Sequence, residues 1–536
     1  MPDWAEFEER IEAGMKAGHV PGFALAIVRD QEVIYAEGFG FTAIDGDETG
    51  LPVTPQTLFR IGSITKPLTG TAIMRLVEAG RLDLDQPVRT YVPWLTFSEK
   101  GAVDTVTLRM LMSHTAGLVT AAGYYGGRDP SGLETFIREA IPRAPLVAPP
   151  GKLHSYSNLG LCIVGYIAQV VSGKPYADLM EDLVFEPLEM QRTTFDPTVA
   201  MTYPLAQSHT LDEDGVHVEH KYADNVGHYP AGFAISTVLD LANWTIMQLN
   251  EGRFAGAQVL SPGSVAEMQR PHADLYTPNG AGYGLALGTR TYKGVRRAGH
   301  NGAINAFFST LDMIPASKVA VMTLSNRADE AFPVGKIVEG NHDRLLDQPE
   351  TAPEPPPVAP DRSRWPAYAG SYIGDARGLV TVQIEGDQLV LERDGKSIAL
   401  HALRDDLYFG QEADSEERVS VGFVPEEAGP TQYIMLNAAP CKRVEQDSSP
   451  DADVAAWQAY VGQYRLPFDT VTVRLEDGTL FVHTRAQNEE VQLTPLGGRR
   501  FSTKYGLIEF QVDENDTVTG LRVANAVTFP RVEADE

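Results

Sequence analysis

A chain of 536 residues is too long for one hydrophobic core, so about two to four domains are expected. Its 44 basic and 72 acidic residues leave a net charge of -28, a field that repels nucleic acid and anionic membrane surfaces. Only two cysteines occur, Cys162 and Cys441, which excludes a disulfide framework.

The first sixteen residues read as a charged amphipathic helix with Phe7, Ile11 and Met15 at helical spacing. They lack the apolar core of a signal peptide, and no apolar run is long enough to span a bilayer, so a cytoplasmic location is expected. Residues 23–28 and 32–39 then read as a hairpin. Amphipathic helices follow, among them 63–79, 158–171 and 238–249, before strand-like runs return at 283–289, 295–298, 305–314 and 319–324. Strands at both ends of a helical section predict one antiparallel sheet assembled from the two ends of the block, with helices packed on it. This is an α+β arrangement.

Residues 347–364 carry Pro349, Pro353, Pro355, Pro356, Pro357 and Pro360, the composition of a stiff, extended linker. A shorter polar break at 446–451 leaves three blocks, 1–346, 365–445 and 452–536. The last two repeat each other. Tyr368-Ala-Gly-Ser-Tyr372 recurs as Tyr460-Val-Gly-Gln-Tyr464, Val380-Thr-Val382 as Val471-Thr-Val473, and Leu389-Val-Leu391 matches Leu480-Phe-Val482. Alternating apolar and polar residues between Gly, Asp and Asn turns predict two successive small antiparallel β-barrels.

Three segments carry chemistry. In Phe59-Arg-Ile-Gly-Ser63-Ile-Thr-Lys66-Pro67 a serine and a lysine three residues apart share one helical face where a glycine-led loop enters an apolar helix. A lysine of lowered pKa can activate a serine hydroxyl, and a helix start favours developing negative charge. The plainer alternative makes Ser63 an N-cap and Lys66 a solvated first-turn residue. The second segment, Pro149-Pro-Gly-Lys-Leu-His-Ser-Tyr156-Ser157-Asn158, leads into a helix, with Tyr156 as a core aromatic and Asn158 as an N-cap for its alternative reading. The third, Gly299-His300-Asn301-Gly302, otherwise reads as a hairpin turn.

In this order and at these separations the three segments resemble the motif set of the penicillin-recognising serine hydrolases, the superfamily of serine β-lactamases and DD-peptidases. The resemblance extends to Val106-Thr-Leu-Arg-Met-Leu-Met-Ser-His114-Thr-Ala-Gly117-Leu118, to Asn158-Leu-Gly160 with Gly165, and to Pro230-Ala-Gly232, and it points to the class C-like branch. It implies a β-lactamase/transpeptidase-like catalytic domain. In that domain Ser63 is the acylated nucleophile, Lys66 and Tyr156 share the work of base and acid, and Asn158 orients the substrate amide. His300 and Gly302 line the substrate strand, and the backbone N–H groups of Ser63 and Ala303 form the oxyanion hole. The third motif departs from the Lys-Thr-Gly of that branch. Histidine is only partly protonated near neutral pH, which weakens the case for a β-lactam carboxylate. His-x-Gly followed by two barrels is similar to the D-aminopeptidases.

The resemblance thus implies release of amino-terminal D-residues from short peptides or amides, with a carboxylesterase, a β-lactamase-like hydrolase or a silent penicillin-binding module as alternatives. Asp224 is the candidate acceptor for the substrate ammonium, against the alternative of a solvated loop aspartate. A small peptide, amide or ester is the expected partner, with no nucleic acid or membrane, and a homodimer stays open. No cofactor or metal site is indicated, since His114 and His300 lack the paired spacing of a ligand cluster. The turn 484–490, with Arg485, Gln487 and Asn488, is the expected barrel loop at the substrate pocket, or else an ordinary hairpin.

Overall fold

Residues 23–28 contain no polar side chain because both faces of their strand are covered. The computed structural model describes residues 4–46, 48–120, 126–328, 332, 334–335, 337, 340, 358–374, 377–412, 418–445, 454, 456–466, 469–484, 489–523 and 527–532. Strand β1 (Gly22–Arg29) lies between β2 (Glu32–Gly40) and β8 (Val319–Ser325). Outward from β8 follow β7 (Phe307–Ile314), β6 (Val295–Ile304), β5 (Gly288–Tyr292), β4 (Gly282–Tyr283) and β3 (Ala273–Asp274). All neighbours are antiparallel, with Ala26 opposite Met322 and Ala36, and Leu311 opposite Met322 and His300. The two ends of the block therefore do build one sheet.

Successive β1 side chains point to opposite faces. Ala24, Ala26 and Val28 join the large core formed with the helices α2 (Thr65–Glu78), α3 (Asn158–Ser172) and α4 (Val238–Leu249). Phe23, Leu25 and Ile27 meet α1 (Trp4–Ala17) through Phe7, Ile11 and Met15. Each of these three anchors contributes about 2 kcal/mol by leaving water. The run expected over 283–289 is two short strands separated by Gly284–Leu287, where Gly284 approaches the Met268 carbonyl too closely for a side chain. The Asn301-Gly302 dipeptide is not a turn. Strand β6 runs on to Ile304, and the reversal falls at Asn305 and Ala306, both with positive φ.

The first barrel is closed by eight strands from Gly370–Gly374 to Ala439–Val444. Its interior holds Val380, Leu389, Ile398, Val421 and Cys441, and Tyr368 stacks on Phe423 at 3.9 Å across one end. The second repeat surrounds its own core with a four-stranded and a five-stranded sheet. Leu493 bends the chain between them, its N–H donating to the Leu480 carbonyl at 2.8 Å, and a bridge between Tyr464 and Arg531 joins the other seam. Tyr460 stacks on Phe510 at 4.1 Å, the counterpart of the first barrel's pair. In both repeats the second tyrosine donates to the first one's carbonyl, Tyr372 to Tyr368 at 2.6 Å and Tyr464 to Tyr460 at 2.7 Å.

Of the proline-rich segment, residues 347–357 lie outside the described residues. Val358 onward lies along the first barrel, where Asp361 caps a short turn and Arg362 pairs with Asp387. The first barrel docks on the first block at two places. Lys152 bonds Glu426 at 2.8 Å, and Arg404 pairs with Asp274 at 2.5 Å while Tyr276 fills the space that a side chain at Gly422 would need. Ala148, Leu153, Val424 and Met435 bury the surface between them. Among the described residues no helix is long and apolar enough to cross a membrane.

Candidate active site

Ser63 stands in a tight turn, Gly62–Ile64, that runs directly into α2. Gly62 has φ +50°, and a Cβ there would lie 2.6 Å from the Ala303 nitrogen, so only glycine lets the turn meet β6. The contact is reciprocal, since a Cβ on Gly302 would strike the Ile61 carbonyl at 2.0 Å. Ser309 Oγ donates to Ile61 O at 2.7 Å, and Thr65 Oγ1 donates to Gly62 O at 2.7 Å while accepting from Ala234 N at 3.1 Å. The Ser63 and Ala303 backbones are thus neighbours on a rigid support.

Lys66 is fully buried. Its Nζ donates to the Asn158 Oδ1 at 2.8 Å and to the Ala231 carbonyl at 2.5 Å, and its third position faces Ser63 Oγ at 2.9 Å, where a proton can be exchanged. Ser63 is therefore not a cap, nor is Lys66 solvated. The cap of α3 is Ser157, whose Oγ accepts from Gly160 N at 3.2 Å, and this frees Asn158 to face Lys66.

Tyr156 is half-buried, with the Lys66 Nζ 5.0 Å from its ring centre. Its loop is held by the 113–119 segment. Ser155 N donates to His114 O at 2.7 Å, Ser155 Oγ to Leu118 O at 2.9 Å, and Ser157 N to His114 Nδ1 at 3.1 Å. That last bond makes Nδ1 of His114 an acceptor, and burial, with the charges of neighbouring groups, pushes its pKa well down. The His114 ring sits 4.4 Å from that of Tyr156, so it supports the loop as a neutral group.

His300 Nδ1 donates to the Asn301 carbonyl, and its Nε2 lies within hydrogen-bond distance of the Tyr283 hydroxyl at 2.7 Å. Burial and the nearby Lys66 charge push its pKa down to about 3. Pairing between β5 and β6 stops at Gly288 with Gly299, so residues 300–304 are laddered only to β7 and leave their other edge toward Ser63. Tyr283 was not singled out from the sequence, because nothing about an isolated strand tyrosine marks it as a partner of His300.

Asp224 is buried instead of solvated. Arg128 lies 2.6 Å from its Oδ2, and the carboxylate joins burial in pushing the Tyr229 hydroxyl up. Neighbouring Ala223 accepts from Arg60, three residues ahead of Ser63. The turn residues 485–488 lie outside the described residues.

Residues 7–340 match the family described as Beta-lactamase. The chain belongs to the β-lactamase family. Penicillin-binding protein 4 of Amycolatopsis lactamdurans is 30% identical over 332 residues, which cover 60% of this chain and 85% of that protein. Protein flp of Staphylococcus aureus (strain MW2) is 28% identical over 337 residues, covering 61% of this chain and 64% of flp. Among solved structures, SurE with D-Leu superposes with a TM-score of 0.62 at 25% identity, covering 82% of this chain and 99% of that one. The superposition with SurE reaches past the β-lactamase-family domain, whose match ends at residue 340, into the barrel region. The β-lactamase fold and the Ser63–Lys66 pair are those of a serine hydrolase scaffold, in which residues 300–302 depart from the Lys-Thr-Gly pattern.

Proposed function

We propose that the chain is a serine hydrolase that forms an acyl-enzyme on Ser63 and releases amino-terminal D-residues from short peptides or amides. The observation that carries this reading is His300 itself, which stands where the β-lactamase branch carries a lysine and is held between the Tyr283 hydroxyl and the Asn301 carbonyl. With its pKa pushed down by burial and the Lys66 charge, it is a poorer partner than lysine for a carboxylate beside the scissile bond. Peptides, amides and esters without such a group suit the site better than β-lactams. The bound D-Leu named for SurE supports a D-configured acyl group.

In acylation Ser63 Oγ bonds to the carbonyl carbon and its proton passes to the Lys66–Tyr156 pair. The pair returns a proton to the departing nitrogen as the C–N bond breaks. In deacylation water bonds to the acyl carbon, gives its proton to the pair, and Ser63 leaves with a proton restored. The oxyanion of each tetrahedral intermediate accepts from the Ser63 and Ala303 N–H groups, and Asn158 holds both Lys66 and the substrate amide. In this reading the substrate ammonium takes the place of Arg128, which is half-exposed, at the buried carboxylate of Asp224.

Rates on D-alanyl p-nitroanilide, L-alanyl p-nitroanilide, p-nitrophenyl acetate and a chromogenic cephalosporin test the proposal. The D-anilide should be turned over fastest relative to its uncatalysed rate. Equal D and L rates, with the ester dominant, would move the assignment to a carboxylesterase.

A further inference from the structure

Two recesses open on Tyr156. One, of about 250 Å³, contains the guanidinium groups of Arg290 and Arg297. Both are bonded to Asp312, at 2.6 and 2.7 Å, so the charge there is largely answered. The other, of about 350 Å³, forms where the catalytic domain meets both barrels, with Val147 and Tyr156 on one wall, Tyr433 and Lys442 on the second, and Arg500 and Leu507 on the third.

The charge in this second cleft is out of keeping with the chain. Its described lining holds three cations and no carboxylate, although the molecule carries a net charge of -28. Arg443 is accounted for, since it donates to the carbonyls of Ala367, Ala369 and Thr431 and to the Tyr372 hydroxyl. Lys442 and Arg500 form no ion pair among the described residues. Lys442 follows Cys441, whose side chain fills the barrel, so the alternation of the strand turns Lys442 outward. Two cations without an ion pair among the described residues give the cleft a positive character.

We propose that this cleft binds the carboxylate terminus of the peptide leaving group, with Lys442 of the first barrel and Arg500 of the second as its recognition groups. The inference rests on the aminopeptidase reading above. There, Tyr156 belongs to the pair that returns a proton to the departing nitrogen, and of the two recesses that open on it this is the one whose cations are not already bonded to a carboxylate. A carboxylate held several atoms from the reacting carbonyl is compatible with His300 in place of a lysine beside it. The two barrels thereby supply specificity and no reacting group, and the preferred substrate is a short D-peptide with a free carboxyl end.

The test compares kcat/KM for D-Ala-(Gly)n acids and their carboxamides, n from one to four, with D-alanyl p-nitroanilide as the reference that lacks a carboxylate. Wild type should prefer the acid at one or two lengths by roughly ten-fold, the scale of a charged hydrogen bond shared with water. Lys442→Gln and Arg500→Gln should each reduce that ratio, and the double variant should bring it to about one, with the anilide rate unchanged. Turnover of the anilide with an acid-to-amide ratio near one at every length in wild type would overturn the cleft assignment and leave the aminopeptidase reading standing. No turnover of any D-alanyl substrate would remove both.

Discussion

Replacing His154 by methionine should make the catalytic domain resistant to acid. The His154 ring lies two residues ahead of Tyr156, is 5% exposed, and has no hydrogen-bond partner at either nitrogen among the described residues. Burial pushes its pKa down to about 4, against 6.5 in the unfolded chain. The folded-state value is the lower one, so between these limits the unfolded chain binds more protons, and stability is lost as pH falls below 6.5. The total loss across that gap is about 3 kcal/mol. About 2 kcal/mol of it is reached at pH 5 and almost none at pH 7. Methionine fills a similar space without titrating, so its stability relative to wild type should improve by about 2 kcal/mol between pH 7 and pH 5. Urea titrations followed by residual turnover measure this. With a slope of about 2 kcal/mol per M, the midpoint advantage of the variant should grow by nearly 1 M. The same midpoint difference at both pH values would refute the linkage and show that the ring is hydrated in the folded protein.

Ser63→Ala should abolish turnover and leave melting within about 1 kcal/mol of wild type, because Ser63 is not a helix cap; intact-mass detection of an acyl adduct should succeed only with wild type. Lys66→Ala and Tyr156→Phe should each slow acylation severely, and single-turnover rates of the double variant should fall well short of the product of the two losses, as expected for groups acting as a unit. Gly62→Ala should cost roughly 100-fold or more in kcat, because the added Cβ drives Ala303 away from Ser63. Asp224→Asn should raise KM for D-alanyl p-nitroanilide far more than for p-nitrophenyl acetate, which carries no ammonium.

The sheet was legible because β1 is buried on both faces and reads as an unbroken apolar run, and the helices because their apolar periodicity is strong. The duplication showed in the Tyr-x-Gly-x-Tyr copies. Its arginine partners did not, because Arg443 and Arg531 lie far along the chain from Gly370 and Gly462; Gly370 has space for the Arg443 guanidinium only because it lacks a Cβ. At the site, Ser63 and Lys66 were legible as a pair on one helical face, and Tyr156 and Asn158 through the resemblance of the three motifs, in their order, to the penicillin-recognising family. Ala231, whose carbonyl holds Lys66, and Tyr283, which holds His300, were not. The first acts through its backbone, and the second through a pairing created only when β4 and β6 join one sheet. The end of β6 was misjudged because Asn-Gly is a turn signal only where no neighbouring strand claims it.

Docking of the first barrel has a consequence for how this protein can be divided. The surfaces that it covers, around Ala148, Leu153 and Tyr276, flank in sequence the segments that carry Tyr156 and Tyr283. A chain cut after residue 340 would expose that apolar strip beside the catalytic opening and release Lys152 from Glu426. Such a fragment would tend to self-associate through its own entrance. The family domain, although it has a separate core, should therefore be less soluble without its appendage.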